Sequence, residues 1–346
     1  MFKDDVYLCY QDVNGFMTRL LEAEVNTEWS SIPVAELVVN SIDALPPMPL
    51  TEEDNNTIHC GTGLFAGRIG RRSYAGVRSC ALRSLYDRLG LGGAIMNRLD
   101  KNAMKELINF AIEHPTEDTL QVPIVEGKVN AFLSSKYQKL PALNVFEEVI
   151  SFLQEHFDQE EFGFNGRWTY YESTGEFELP LEQEVNGETY TTYLVCQTSD
   201  AGYSSVNFRA HLRQGRKNLP IMSDISMAHK GNLDEAKLQQ SLKMLDGAID
   251  KGVKKLNHLL LVPINNPKAC MKRVAKHVGL PKKETLELIE QFNPNYAVTA
   301  FDCFECLAKL LEQPNKYTIK ERLTGDIYKA LNLNWESYDL AGDYAW

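Results

Sequence analysis

The chain has 346 residues, 44% of them hydrophobic, enough to bury a sizeable core in two or three units. Its formal net charge is −11, and its seven cysteines (9, 60, 80, 196, 270, 303 and 306) are odd in number and scattered, which excludes a disulfide framework. No apolar run reaches the ~18 residues of a membrane span, and MFKDDVYLCYQD lacks a basic flank before an apolar stretch, so no membrane contact or signal peptide and a cytoplasmic location are expected.

VNGFMTRLLEAEV (13–25) reads as a short helix, followed by a loop-rich stretch with Pro33, Pro46, Pro47 and Pro49. From Val77 the spacing of Leu82, Leu85 and Leu89 predicts a helix ended by Gly90, Gly92 and Gly93. KNAMKELINFAIEH (101–114) is a further helix with Met104, Leu107, Ile108 and Ala111 on one face. Asn144 is the expected N-cap of VFEEVISFLQEHF (145–157), where Phe146, Val149, Ile150 and Leu153 form an apolar stripe.

The period then changes. RWTYYES (167–173), EFELPLEQEV (176–185) and ETYTTYLVCQT (188–198) are rich in aromatic and β-branched residues, with Gly175 and Asn186-Gly187 as turn signals between them. A turn at Ser199-Asp200-Ala201-Gly202 leads into SSVNFRAHLR (204–213), which places Val206, Phe208, Ala210 and Leu212 on one side. Asn207, Arg209, His211 and Arg213 fall on the other, so one face of the sheet is expected to be wet. Helical periodicity returns at 233–253 and continues in short helices to about Leu331. The class is α+β: an antiparallel sheet over about 160–215 backed by helices, with a helical C-terminal region. Three regions follow: 1–125, acidic then Arg-rich; 126–255, the α+β core; and 256–346, helical with an acidic-aromatic tail.

The charge is segregated. Residues 1–66 carry eleven acids against Lys3 and Arg19, and 141–190 carry twelve against Arg167. By contrast 67–98 holds seven arginines and Asp87, and 251–283 holds nine Lys or Arg and no acid. Such islands fit either a nucleic-acid binder with a local basic track or a protein whose acidic and basic faces pair with each other. A single strand is held by a positive track and flat rings. Arg209, His211 and Arg213 alternate toward one face, Arg216 and Lys217 extend the patch, and His229 ends it, packing or contacting phosphate. Arg71, Arg72 and Tyr74 sit in GRIGRRSYAG, which is either a glycine-rich approach to phosphate or a surface loop. Lys272, Arg273 and Lys276 lie at helical spacing and form either a binding ridge or a solvated face. NWESYDLAGDYAW alternates acids with Trp335, Tyr338, Tyr344 and Trp346, and either competes for a basic groove, docks a partner or packs on its own domain.

Strand, Ser-Asp-Ala-Gly turn, strand with Arg209, Gly215-Arg216-Lys217-Asn218 and His229-Lys230-Gly231, in that order, resemble the phage and plasmid family catalogued as domain of unknown function 932. AFLSSKYQKLPALNVFEEV (131–149) is similar to that family's Ser-x-x-Tyr element leading into a helix, and the likeness covers roughly 125–255. Cys196-Gln197-Thr198 departs from the Asn more usual before the turn. The family in turn resembles, more remotely, single-strand annealing proteins of the Rad fifty-two type. That resemblance implies an antiparallel sheet backed by a helix, a homo-oligomer, and single-stranded DNA as partner.

Other chemistry is weak. Cys303 and Cys306 form a lone CxxC in a helical pattern, more in keeping with helix packing than with a metal. His59-Cys60 has no evident partner, and the glycines 61, 63, 67 and 70 lack Gly-Lys-Ser/Thr. Asp200, Asp224 and His229 either converge on a metal or, as the simpler expectation, Asp200 caps its own turn. No enzyme and no cofactor are expected. The alternative to strand annealing is a counter-defence factor whose acidic faces dock a host protein or mimic DNA.

Overall fold

A computed structural model describes residues 6–44, 58–69, 72–92, 96–229, 235–313 and 317–346. In chain order the elements are β1 (Leu8–Tyr10), α1 (Val13–Val25), β2 (Thr27–Pro33), β3 (Val38–Ser41), β4 (Leu64–Ile69), β5 (Arg72–Gly76), α2 (Ser79–Arg88) and α3 (Lys101–Ile112). Next come β6 (Thr119–Val125), β7 (Lys128–Val129), β8 (Leu133–Ser134), α4 (Ala142–Phe157), β9 (Gly163–Trp168), β10 (Ser173–Val185), β11 (Glu188–Thr198), β12 (Val206–Gln214) and β13 (Lys217–Met227). The C-terminal region is helical: α5 (Glu235–Lys243), α6 (Leu245–Leu259), α7 (Pro267–Val278), α8 (Lys282–Gln291), α9 (Ala300–Ala308) and α10 (Tyr317–Leu331). No helix among the described residues is long and apolar enough to cross a membrane.

The main sheet is antiparallel with strand order β1-β9-β10-β11-β12-β13. Asn186 (φ 54°) and Gly187 (φ 75°) make the two-residue hairpin between β10 and β11, the left-handed pair that matches strand twist. Gly215-Arg216 makes the next hairpin, pairing Gln214 with Lys217. One face of this sheet buries Phe177, Leu194, Phe208 and Leu212 against α1, α4 and α6. Phe16 of α1 meets Phe146 of α4 edge-on at 4.9 Å and tilts against Phe164 of β9. Rings of this size dominate the burial energy of a core. Helix α6 approaches β13 so closely that a Cβ on Gly252 would stand 2.2 Å from the Ile221 carbonyl oxygen.

A second core lies under the β3-β4-β5 and β2-β6-β7 sheets and helices α2 and α3, with Val39, Leu64, Leu85, Ile108, Val122 and Phe132 at its centre. Asn109 of α3 bonds both main-chain groups of Val39, its Oδ1 accepting at 3.0 Å and its Nδ2 donating at 2.8 Å, which satisfies one residue of β3. At the junction of the two cores, buried Arg78 lies 3.5 Å over the Tyr170 ring and 3.8 Å from Glu126, and Arg19 lies 2.8 Å from the same carboxylate. Arg78, counted with the basic island, is thus a structural residue.

Several local expectations are corrected. The loop-rich stretch after α1 contains β2 and β3, while Pro46, Pro47 and Pro49 lie outside the described residues. Gly175 is no turn: it pairs with Cys196 inside β10, where a Cβ would meet Phe146 at 2.7 Å. RWTYYES is the end of β9, a turn and the first residue of β10 rather than one strand. The sheet, expected to end at about 215, continues past Gly215 as β13, with Pro220 at an irregularity in its register. Asn144 lies inside α4, which starts at Ala142. The helical periodicity expected from 233 onward is carried, over the described residues, by α5 and α6, which meet at Met244.

Candidate nucleic-acid interface

The β12 alternation holds: Phe208 and Leu212 are in the core, and Arg209, His211 and Arg213 share the opposite face. That face is not simply wet. His211 is 5% exposed, and the side chains of Arg209 and Arg213 are 13% and 30% exposed. The cause is a helix distant in sequence. Helix α10 packs against β13 and, with Tyr7 beside β1 on the other side, leaves a cleft of about 320 Å3 over the polar face of the sheet.

The cleft is a network of charged pairs. Arg209 Nη2 lies 2.7 Å from Glu321 Oε1 of α10 and also donates to Gln197 Oε1. Gln197 donates through Nε2 to Glu172 Oε2 at 2.5 Å, and Glu172 Oε1 accepts from Arg167 Nη2 at 2.5 Å. Arg213 donates to Glu176 Oε1 at 2.7 Å and lies 4.2 Å over the Tyr193 ring. His211 stacks on that ring at 5.4 Å, nearly parallel, with Nε2 3.3 Å from Glu176 Oε1.

Burial sets the proton affinities and the partners modify them. Burial pushes Glu172 above the usual carboxylate range, with Glu321 adding and Arg167 opposing. Burial acts on Glu176 too, but hydrogen bonds and charge from His211 and Arg213 outweigh it and hold that carboxyl at about 2. Burial lowers His211 despite Glu176. Chemically, the cleft offers the Arg209 and Arg213 guanidiniums, engaged by Glu321 and Glu176, beside a flat phenol–imidazole pair, while Arg167 is buried in its pair with Glu172.

Arg167, Glu172, Glu176, Gln197 and Glu321 were not foreseen as site residues. Alternation along β9, β10 and β11 places Arg167, Glu176 and Gln197 on the face of Arg209, a signal present in the sequence. Nothing local marks Glu321, 112 residues from its partner.

The other candidates divide. Arg216 is exposed at the hairpin, whereas Lys217 is 2.6 Å from Glu188 and 3.0 Å from Glu305, which pushes its ammonium well above its ordinary value. Arg71 lies outside the described residues, as does the Arg72 side chain; Tyr74, in β5, packs edge-on to Phe65 at 5.5 Å. Lys272, Arg273 and Lys276 share α7, which segment 338–346 covers. Cys303 and Cys306 are buried in α9. Among the described residues no three His, Cys, Asp or Glu groups could hold a metal; the Asp224 side chain lies outside them.

His229 is buried, in keeping with packing, the first of its two expected roles. Its ring stacks on Tyr137 at 5.1 Å, and Tyr137 stacks in turn on Trp29 at 6.2 Å and donates to the Ser199 carbonyl at 3.1 Å. The Ser-x-x-Tyr element, the Ser-Asp-Ala-Gly turn and His229 therefore meet in space. Ser199, not Asp200, caps the turn: its Oγ accepts from the Ala201 and Tyr203 amides. Asp200 accepts instead from Ala142 at the start of α4, at 3.0 Å.

Removal from water pushes Asp200 up to about 7, and Glu24 adds to the effect. An aspartate bound more tightly to its proton in the folded state contributes most at acidic pH, and loses that contribution as pH rises from its unfolded value toward about 7. Asp200→Asn, which keeps the acceptor, is expected to flatten stability against pH over that window by up to about 1.4 kcal/mol per pH unit. Urea midpoints at several pH values check this; an unchanged slope excludes Asp200 as its source.

Fold and site together define an α+β protein with a charged, ring-lined cleft on the outer face of its main sheet. No family model, curated protein or solved structure matches this chain.

Proposed function

We propose that this protein binds single-stranded DNA through the outer face of its main sheet and, as an oligomer, anneals strands in the recombination or replication of a phage or plasmid. The observation that carries this reading is the convergence of Arg167, Arg209 and Arg213 on one open cleft, with Tyr193 and His211 stacked beside them. At about 320 Å3 the cleft is near the lower end of ligand pockets, roughly 300–1,000 Å3, and takes one nucleotide unit at a time. Guanidinium forks match phosphate oxygens, and bases stack on rings without sequence preference. The order of motifs along the chain, read as a resemblance to strand-annealing proteins, agrees with this reading but does not carry it.

The test is binding of a fluorescent oligo(dT) and of a duplex at about 50 and about 200 mM salt. Tighter binding to the single strand, weakening steeply with salt, supports the reading; no binding to either overturns it. Because Glu321 competes with phosphate for Arg209, Glu321→Gln is expected to tighten oligo(dT) binding about threefold to tenfold at the lower salt. Weaker binding by that variant removes Glu321 as a competitor.

One observation favours a second reading, docking of a basic host protein. A groove of about 1020 Å3 between α1 and α4 gathers Asp12, Glu147, Asp158 and Glu161 from both acidic stretches around Val13 and Ile150. It predicts no oligonucleotide binding and a stable, salt-sensitive protein complex.

A further inference from the structure

Helix α7 carries the densest part of the basic stretch 251–283, and the segment after Asn334 folds back over it. Asp339 anchors the return: its carboxylate oxygens accept from the Asn265 and Asn266 amides at 2.7 and 2.8 Å, and these bonds hold it below the usual carboxylate range against the effect of burial. Around and beyond that anchor the contacts fall on the ridge. Arg273 Nη1 donates to the carbonyls of Tyr338 at 3.2 Å and Leu340 at 3.0 Å. The Tyr344 ring lies 5.1 Å from the Arg273 guanidinium and 5.5 Å from the Lys276 ammonium. Lys272 is 4.0 Å from Asp343, and Lys282 donates to the Trp346 carbonyl at 2.5 Å.

A carboxylate, a row of oxygen acceptors and a ring set over cations are the groups a single strand presents as phosphate and base. The contacts past Asp339 are also individually weak. Asp343 is 95% exposed, and exposed ion pairs contribute little. Tethering, which gives the segment a high local concentration, keeps it in place. We propose that the α7 ridge is a second surface for single-stranded DNA and that segment 340–346 occupies it in cis, so that strand and segment exclude one another. This rests on the single-strand reading above. Helix α10, which carries Glu321 into the cleft, also packs on α7.

The test compares the full chain, a chain ending at Asp339, and the full-length double variant Asp343→Lys/Tyr344→Ala, which keeps Trp346 in its packing. The probe is fluorescent oligo(dT) at about 50 mM salt. Both altered proteins are expected to bind about threefold to tenfold more tightly than the full chain. Adding Lys272→Glu/Lys276→Glu to the shortened chain is expected to abolish that gain and leave binding at the full-chain level. If both altered proteins bind as the full chain does, the exclusion is wrong and the single-strand reading stands. A gain that survives the charge reversals rules out the α7 ridge as the surface. No binding by any of these proteins, each with a cooperative melting transition, overturns the single-strand reading and this inference with it.

Discussion

Arg167→Met is expected to destabilise the fold by about 3–5 kcal/mol at neutral pH, the range for removing one partner of a buried ion pair. Arg167 and Glu172 are each 8% exposed and 2.5 Å apart, and Glu321 is a further negative charge acting on Glu172. Without the guanidinium, the Glu172 carboxylate keeps Gln197 but loses its nearest compensating charge. Its response is to hold a proton. Glu172 is already pushed up by burial, and the variant raises it further. A carboxyl whose folded proton affinity exceeds its unfolded one loses stability as pH rises, so the deficit is larger at alkaline than at mildly acidic pH. Replacing both partners, Arg167→Met with Glu172→Gln, is expected to recover much of the loss, because an uncharged pair leaves no buried charge. Urea denaturation of the three proteins at two pH values checks this; a double variant no better than Arg167→Met would show that the pair is not the source.

The second large effect concerns binding. Arg209→Ala/Arg213→Ala is expected to weaken oligo(dT) affinity about tenfold to a hundredfold at moderate salt and to reduce the slope of log affinity against log salt by about 1.4, the contribution of two phosphate contacts on a single strand. Both residues lie on the cleft face of β12, and neither packs in the apolar core beneath it. Melting temperature separates loss of binding from loss of fold. Weakened affinity with an unchanged salt slope would mean that the two guanidiniums organise the site without contacting phosphate.

Local chemistry made some elements legible and hid others. Val13–Val25 and Glu188–Thr198 form over the predicted residues because their periods, 3.6 and 2, agree with where they pack. Asn186-Gly187 announces its hairpin because both positions need left-handed backbone. Strand β13 was not foreseen, because the expected sheet stopped near 215; its Pro220 sits where the register shifts. Gly175 read as a turn because its sequence shows only the missing side chain, whereas its cause is the Phe146 ring packed above it. The face of Arg209, His211 and Arg213 was legible from alternation; its cover was not. Exposure of a polar sheet face depends on α10, and no feature of residues 204–213 refers to Glu321. The ridge on α7 was read in the same way: its spacing is local, while the segment lying over it comes from beyond Asn334.

The central claim is that a single strand lies in the cleft of the main sheet. Ultraviolet cross-linking of oligo(dT) to the full chain, with the attached residues identified by mass spectrometry, tests it most directly. The prediction is attachment at Tyr193 or Tyr7, the rings beside the three guanidiniums, and its loss in Arg209→Ala/Arg213→Ala. Cross-links that leave both tyrosines untouched would contradict it.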